Sequence, residues 1–95
     1  MLTHMVAMRL TDPEDAPEAV QRLRAMRGHI PSLIDVRAGT NINPTEAAAD
    51  VLLLTEHDDE RGLADYQAHP VHQELLTWLG PRLRERVVVD STDMA

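Results

Sequence analysis

The stretch Tyr66-Gln67-Ala68-His69-Pro70-Val71-His72 contains the single tyrosine of the chain and two of its five histidines. On one continuous helix, residues three apart are neighbours, whereas residues six apart point about 120° away from each other. Tyr66 and His72 can therefore converge only if the helix bends between them. Pro70 predicts this bend, because its ring removes a backbone donor and disfavours the helical conformation at the preceding residue. We predict one helix that ends near His69 and a second helix that begins with Pro70, which places His69 near the N-cap of the second helix.

The apolar pattern of the second helix places His72 on an inward face. His72 is in phase with Leu76 and Leu79, so its ring can face the protein interior. Trp78 belongs to a second apolar stripe of the same helix and is predicted to pack against the core.

Length and charge narrow the class of protein. Ninety-five residues make one domain, 1–95, which is small enough that a second subunit would help to cover its apolar surface. Sixteen acidic residues against nine arginines, with no lysine, give a net charge of -7. This balance argues against a nucleic-acid partner, because nucleic-acid surfaces need basic stripes and aromatic stacking platforms.

Missing residue types exclude several chemistries. The chain has no cysteine, which rules out disulfides, thiolate catalysis and cysteine metal sites, and without lysine no Schiff base can form. No apolar stretch has the length of a membrane span, and the first residues do not resemble a targeting segment. We therefore expect a cytoplasmic protein that has no membrane partner.

Hydropathy patterns predict the order β-α-β-β-α-α-β, which is an α+β domain. Residues 2–10 alternate as a strand does, and the capping-box spacing of Asp15 and Glu18 predicts a helix that ends at Gly28. Further strands are predicted over residues 33–42, 50–56 and 86–90. The apolar run over residues 51–54 is typical of a strand that is covered on both faces.

Five motifs, taken in order, resemble the stress-responsive A/B barrel (Dabb) family. They are Leu2-Thr3-His4-Met5-Val6, His29-Ile30-Pro31-Ser32-Leu33, Asn41-Ile42-Asn43-Pro44-Thr45, Tyr66-Gln67-Ala68-His69-Pro70-Val71-His72-Gln73 and Arg86-Val87-Val88-Val89-Asp90. The resemblance covers nearly the whole chain. It implies a ferredoxin-like subunit with a four-stranded antiparallel sheet, which pairs with a second copy in a homodimer to form a dimeric α+β barrel.

One branch of this family, similar to the plant olivetolic acid cyclase, closes a linear polyketide by an aldol reaction. The tyrosine and histidine that the branch uses match Tyr66 and His72, and a histidine of the same pocket matches His4. Another pocket histidine is replaced here by Asp50, and bulky aromatic residues of the first helix are replaced by smaller ones such as Leu23. The resemblance therefore implies a ligand of a different shape.

An aldol cyclisation needs a base next to a carbonyl and a donor that holds the enolate oxygen. His72 suits the first role, because an imidazole pKa of about 6.5 leaves it poised near neutral pH, and Tyr66 suits the second as a phenolic donor. We thus predict a small cofactor-independent enzyme, polyketide cyclase-like, with catalytic residues His72, Tyr66 and His4. Its substrate pocket is predicted to be lined by Val6, Met8, Leu23, Asp50, Leu52 and Leu76.

Other interpretations stay open. Tyr66, His69 and His72 could form a purely structural junction in a non-catalytic dimeric module, either stress-related or binding a small apolar ligand. The His69 and His72 pair has a spacing that some metal sites use, but the sequence fixes no third ligand, so we predict no metal. A cofactor-free oxygenase would rest on shared architecture alone. His29 and His57 are placed in solvated connections.

Overall fold

The computed structural model describes residues 1–95 as one sheet covered by helices on one face. The strands are β1 (Leu2–Leu10), β2 (Asp35–Thr40), β3 (Val51–His57) and β4 (Leu83–Ser91), and the α-helices are α1 (Ala16–Arg24), α2 (Glu60–Ala68) and α3 (Pro70–Leu79). All strand pairs are antiparallel, in the order β2-β3-β1-β4. This arrangement confirms the predicted ferredoxin-like α+β fold. None of the helices has the length and apolar character needed to cross a membrane.

The strict alternation of β1 gives the sheet two different faces. Side chains from His4 to Leu10 that are two apart are buried under the helices, whereas those between them are only half-buried on the opposite face. The helix-facing side belongs to a core of 18 buried apolar residues. Because each fully buried leucine or valine stabilises the fold by about 1.5–3 kcal/mol, this face holds the helices on the sheet.

The bend predicted at Pro70 is confirmed. His69 has an extended backbone between α2 and α3, with φ of -67° and ψ of 141°. Its Nδ1 atom accepts a hydrogen bond from the backbone N–H of Val71 at 3.1 Å. Pro70 is the first residue of α3, a position where its missing N–H costs no helical hydrogen bond.

Several element boundaries differ from the prediction. Helix α1 ends at Arg24 rather than at Gly28, because residues 25–29 form turns that lead to the positive φ of 81° at Gly28. Asp15 makes no capping hydrogen bond. Instead, the Asp12 side chain accepts from the N–H of Glu14 and caps the short 3₁₀ turn before α1. Strand β2 is shorter than predicted and β4 is longer.

The face of the sheet away from the helices, here named the outer face, is apolar and uncovered. Its side chains come from β1, β3 and β4, where Met5 is paired with Leu54 and Val89, and Ala7 with Leu52 and Val87. Leu52 is 45% exposed and Val87 is 61% exposed. A single subunit therefore covers only one face of β3.

Trp78 is half-buried and packs against the core, as its position on α3 predicts. The guanidinium groups of Arg22 and Arg82 lie over its ring, at 4.5 and 4.4 Å from the centroid. These cation–π contacts attach α1 and the turn after α3 to the end of α3.

Candidate active site

A cavity of about 200 Å³ lies between the sheet and helices α2 and α3. Its lining is mostly apolar, and its floor is formed by buried residues such as Leu23 and Leu53. The side towards β4 is open, because Arg86 and Val88 are exposed. The lining residues are His4, Val6, Met8, Leu23, Leu53, Tyr66, Gln67, His72, Leu75, Leu76, Leu79, Leu83, Arg86 and Val88.

The bend at Pro70 brings Tyr66 and His72 together at this cavity. Their ring centroids are 4.6 Å apart, at an interplanar angle of 59°. Tyr66 is 1% exposed and lines the cavity, and no hydrogen bond of the chain involves its hydroxyl. Burial raises the pKa of Tyr66 above its ordinary value, so the phenol stays protonated. The site therefore contains an O–H donor that no group of the chain accepts.

His72 is held in the tautomer that a base requires. Its Nδ1 atom lies 3.1 Å from the backbone carbonyl oxygen of Gln67, and a carbonyl can only accept, so Nδ1 carries the proton. The lone pair of the neutral ring is then on Nε2. Burial lowers the pKa of His72, against the opposing effect of the Gln67 carbonyl, and the charges of His4 and Arg86 lower it further. His72 is thus a neutral imidazole at neutral pH.

His4 is oriented by an acidic partner that the sequence did not reveal. Its Nδ1 atom is 2.5 Å from Oδ1 of Asp90, which stands directly opposite on the neighbouring strand. A carboxylate oxygen accepts, so Nδ1 donates and Nε2 of His4 is left available. The His4 ring meets Tyr66 edge-on, with the centroids 6.4 Å apart. Asp90 therefore fixes the orientation of His4, the third of the predicted catalytic residues.

The prediction that His57 is solvated is wrong. It is the last residue of β3 and is 0% exposed. Its Nδ1 donates to the Ser32 carbonyl at 2.8 Å, and its Nε2 accepts from the Thr55 hydroxyl at 2.9 Å. Burial lowers its pKa, which favours this neutral form. Both ring nitrogens are engaged, so His57 has no lone pair free for catalysis. Its ring packs against that of Tyr66, with the centroids 4.9 Å apart. Continued alternation from Val51 through Thr55 was the signal for its burial.

Two of the predicted pocket residues lie elsewhere, and their assignment is corrected. Oδ2 of Asp50 accepts a hydrogen bond from the backbone N–H of Leu10 at 2.7 Å, so Asp50 ties the end of β1 to the start of β3. Leu52 lies on the outer face, because it alternates with the inward Leu53. The other four predicted pocket residues, Val6, Met8, Leu23 and Leu76, line the cavity together with His4, Tyr66 and His72.

The two histidines at the bend do not converge on a common point. His69 uses Nδ1 to cap α3, whereas His72 lines the cavity. No group of three or more His, Asp or Glu side chains is placed to hold a metal ion. Besides Asp90, sequence analysis did not assign Gln67 and Arg86 to the cavity, although both lie within motifs that it singled out.

Comparison with known proteins places this geometry in context. The chain matches the family model of the stress responsive A/B barrel domain over residues 2–93. A dimeric ferredoxin-like protein of unknown function from Thermobifida fusca is 26% identical, with a TM-score of 0.83 over 96% of this chain and 89% of that chain. No curated protein matches the chain.

Two further solved structures share the fold at lower identity. A Dabb family protein with a ferredoxin-like fold from Mesorhizobium loti is 16% identical, with a TM-score of 0.78 over 99% of this chain and 97% of that one. The hydroxynitrile lyase of Passiflora edulis is 12% identical, with a TM-score of 0.80 over 99% and 95% of the two chains.

Proposed function

The chain belongs to the stress-responsive A/B barrel family, and we propose that it is a small cofactor-independent enzyme, polyketide cyclase-like, that catalyses carbon-acid or aldol chemistry. One observation carries the proposal: the unpartnered hydroxyl of Tyr66 and the imidazole of His72 share one apolar cavity. A donor that no group of the chain accepts is available to a ligand oxygen in this cavity.

The reaction would begin when Nε2 of His72 removes a proton from the carbon next to a substrate carbonyl. The electrons of the broken C–H bond move to the carbonyl oxygen and form an enolate, which the Tyr66 hydroxyl stabilises by hydrogen bonding. The enolate carbon then attacks a second carbonyl of the same molecule and closes a ring. The new alkoxide takes the proton back from His72, so atoms and charge balance without an added reactant.

The surroundings of the two residues support these roles. Burial keeps the pKa of His72 low and that of Tyr66 high, so at neutral pH the base is unprotonated and the donor is protonated. Hydrogen bonds to developing charge are stronger in such an apolar site than in water. His4, held by Asp90, would be a positioning residue for the second carbonyl.

The cavity volume restricts the substrate. About 200 Å³ is below the range of roughly 300–1,000 Å³ that is typical of sites for drug-sized ligands. A compact dicarbonyl compound is therefore favoured over a long polyketide. The hydroxynitrile lyase supports the proposal only through its fold, which serves lyase chemistry in that protein.

We also infer that the protein acts as a homodimer through its outer face. Neighbours such as the Thermobifida fusca protein are described as dimeric. The exposed Leu52, Val87 and Val89 form an apolar surface on the same sheet whose other face builds the cavity. Apolar patches of this kind are typical of protein interfaces.

The catalytic proposal is tested with hexane-2,5-dione, a small neutral diketone that can close a ring by an internal aldol step. Proton NMR in D₂O measures exchange of its α-protons and appearance of the cyclic aldol, together with the enone that forms from the aldol by loss of water. We expect His72→Ala to slow exchange by about 100-fold or more and Tyr66→Phe by a similar factor. His29→Ala, which removes an exposed imidazole, is the matched control and should leave the rate unchanged.

The non-catalytic alternative makes the opposite prediction. If the junction is only structural, His72→Ala and Tyr66→Phe would lower the melting temperature, and all variants would give the same exchange rate as buffer. That result would reject the proposed reaction.

A further inference from the structure

We propose that Arg86 is a specificity residue that binds a carboxylate of the substrate at the open side of the cavity. This inference rests on the proposed function, because it names the substrate class of the same site: a compact carbonyl compound that also carries a carboxylate.

Arg86 is the one permanently charged side chain that lines the cavity. It stands on β4 opposite Met8, and therefore on the face of the sheet that is turned towards the helices. Because Arg86 is exposed while the cavity floor is buried, its guanidinium lies at the rim, at the end of the cavity towards β4. A ligand with its apolar part on the floor would have its other end at this arginine.

The guanidinium of Arg86 has no acidic partner within the chain. The five ion pairs of the structure involve Arg9, Arg22, Arg27, Arg82 and His4. The two acids nearest in β4 are already engaged, since Glu85 pairs with Arg9 and Asp90 pairs with His4. In a chain with a net charge of -7, a cation left unpaired at an apolar cavity is available to an anionic ligand.

A carboxylate is the group that this arrangement suits best. The planar fork of a guanidinium donates two parallel hydrogen bonds to a carboxylate, with one N–H to each oxygen. No Asp or Glu side chain lines the cavity, and the carboxylate of Asp90 is hydrogen-bonded to His4. Such a contact would also place the ligand carbonyl between Arg86 and the Tyr66–His72 pair, because all three side chains face the same space.

The test compares two neutral probes with one anionic probe of nearly the same shape. Levulinate has the methyl ketone and chain length of hexane-2,5-dione but ends in a carboxylate, and levulinamide is its neutral isostere. NMR titration at neutral pH, which follows backbone amide shifts around the cavity, measures their dissociation constants. We expect levulinate to bind about tenfold more tightly than levulinamide, and the preference to weaken as salt is added.

Two arginine variants provide the control. Arg86→Met should abolish the preference for levulinate. Arg84→Met removes the same charge from an exposed position of the same strand that does not line this cavity, and it should keep the preference. Inorganic phosphate, which lacks an apolar part, should displace levulinate only weakly. Equal affinity for levulinate and levulinamide, no binding of levulinate, loss of the preference in Arg84→Met, or strong competition by phosphate would each overturn the inference.

Failure of this inference is distinguishable from failure of the proposed reaction. His72→Ala lacks the base but keeps Arg86, so it should retain the preference for levulinate. If wild type shows the preference but never exchanges the α-protons of hexane-2,5-dione, the reaction is rejected and the carboxylate site stands. If exchange occurs without any preference, the reaction stands and the carboxylate site is rejected.

Discussion

Nδ1 of His4 lies 2.5 Å from Oδ1 of Asp90, although 86 positions separate the two residues in the chain. The His4 side chain is 8% exposed and that of Asp90 is 42% exposed, so the imidazole is enclosed while the carboxylate reaches solvent. The pair connects the wall of the cavity to its open edge. A histidine held in this way has a fixed ring orientation and a fixed tautomer.

Asp90→Asn tests this positioning role. The amide keeps the size of the side chain, and its oxygen can still accept from His4, but it loses the charge that strengthens this hydrogen bond. We expect exchange of hexane-2,5-dione α-protons to slow several-fold, with a loss of only about 1 kcal/mol in the free energy of unfolding, because the carboxylate is partly solvated. The matched control is Asp93→Asn, which alters an exposed carboxylate near the end of the same segment. Unchanged kinetics in Asp90→Asn would exclude Asp90 from the site.

The pH dependence of catalysis should report His72. Burial and the nearby positive charges disfavour its imidazolium, so its pKa is below the ordinary value of 6.5. The reaction needs the neutral ring, and its rate should therefore stay level down to about pH 6.5 and fall only at lower pH. Arg86→Met removes one of those charges and should move the acidic limb to higher pH. A limb above pH 7 in wild type would contradict the assignment of His72 as the base.

His57 should matter for stability and not for the proton transfer. His57→Ala leaves the Ser32 carbonyl and the buried Thr55 hydroxyl unpaired and opens space beside Tyr66. We expect a loss of about 3 kcal/mol in the free energy of unfolding, measured by urea denaturation. His29→Ala should lose almost nothing. Equal stability of the two variants would show that the buried hydrogen bonds of His57 contribute little.

Buried neutral histidines also make stability depend on pH. The pKa values of His57 and His72 are lowered in the folded protein, so below about pH 6.5 the unfolded chain binds protons that the folded chain does not. Their stabilising contribution is complete above that pH and is lost as the pH falls. Urea midpoints measured between pH 7.5 and 5 should decline with a shallower slope in His57→Ala than in wild type. A parallel decline would assign the effect to other groups.

Leu52→Glu tests the inferred dimer. Leu52 lies on the outer face and is 45% exposed, so a charge there is tolerated by one subunit but not by an apolar interface. We expect light scattering to give the mass of a dimer for wild type and of a monomer for the variant, with unchanged far-UV circular dichroism. Met94→Glu, at a 70% exposed position outside the sheet, is the control. A monomeric wild type would reject the interface.

The parts of the fold that local rules govern could be predicted from the sequence. Pro70 enforces the bend through its own ring, and the alternation of β1 determines which face His4 shares with Val6. Leu52 was misplaced because residues 51–54 are all apolar, so their hydropathy does not show which of them face the helices. His57 was missed because β3 continues one residue past the predicted end.

Asp90 and Arg86 were beyond sequence analysis for a different reason. Their positions depend on the register between β1 and β4, which pairs His4 with Asp90 and Met8 with Arg86. That register is set by contacts far apart in the chain, and an irregularity between Arg9 and Leu10 shifts it near one end. The half of the candidate site on the helices was thus accessible to prediction, and the half that β4 supplies was not.

The strand order has a consequence for how the molecule folds. Strand β1 lies between β3 and β4 in the sheet, so it can complete its pairing only after residues 83–91 have returned to it. Contacts of such long sequence separation form late and slow the folding of small domains, because a long loop must close first. Tyr66 and His72, in contrast, are joined by a turn of a few residues. We therefore expect the base and its donor to meet early in folding, and the cavity that gives them a substrate to be finished in the last step.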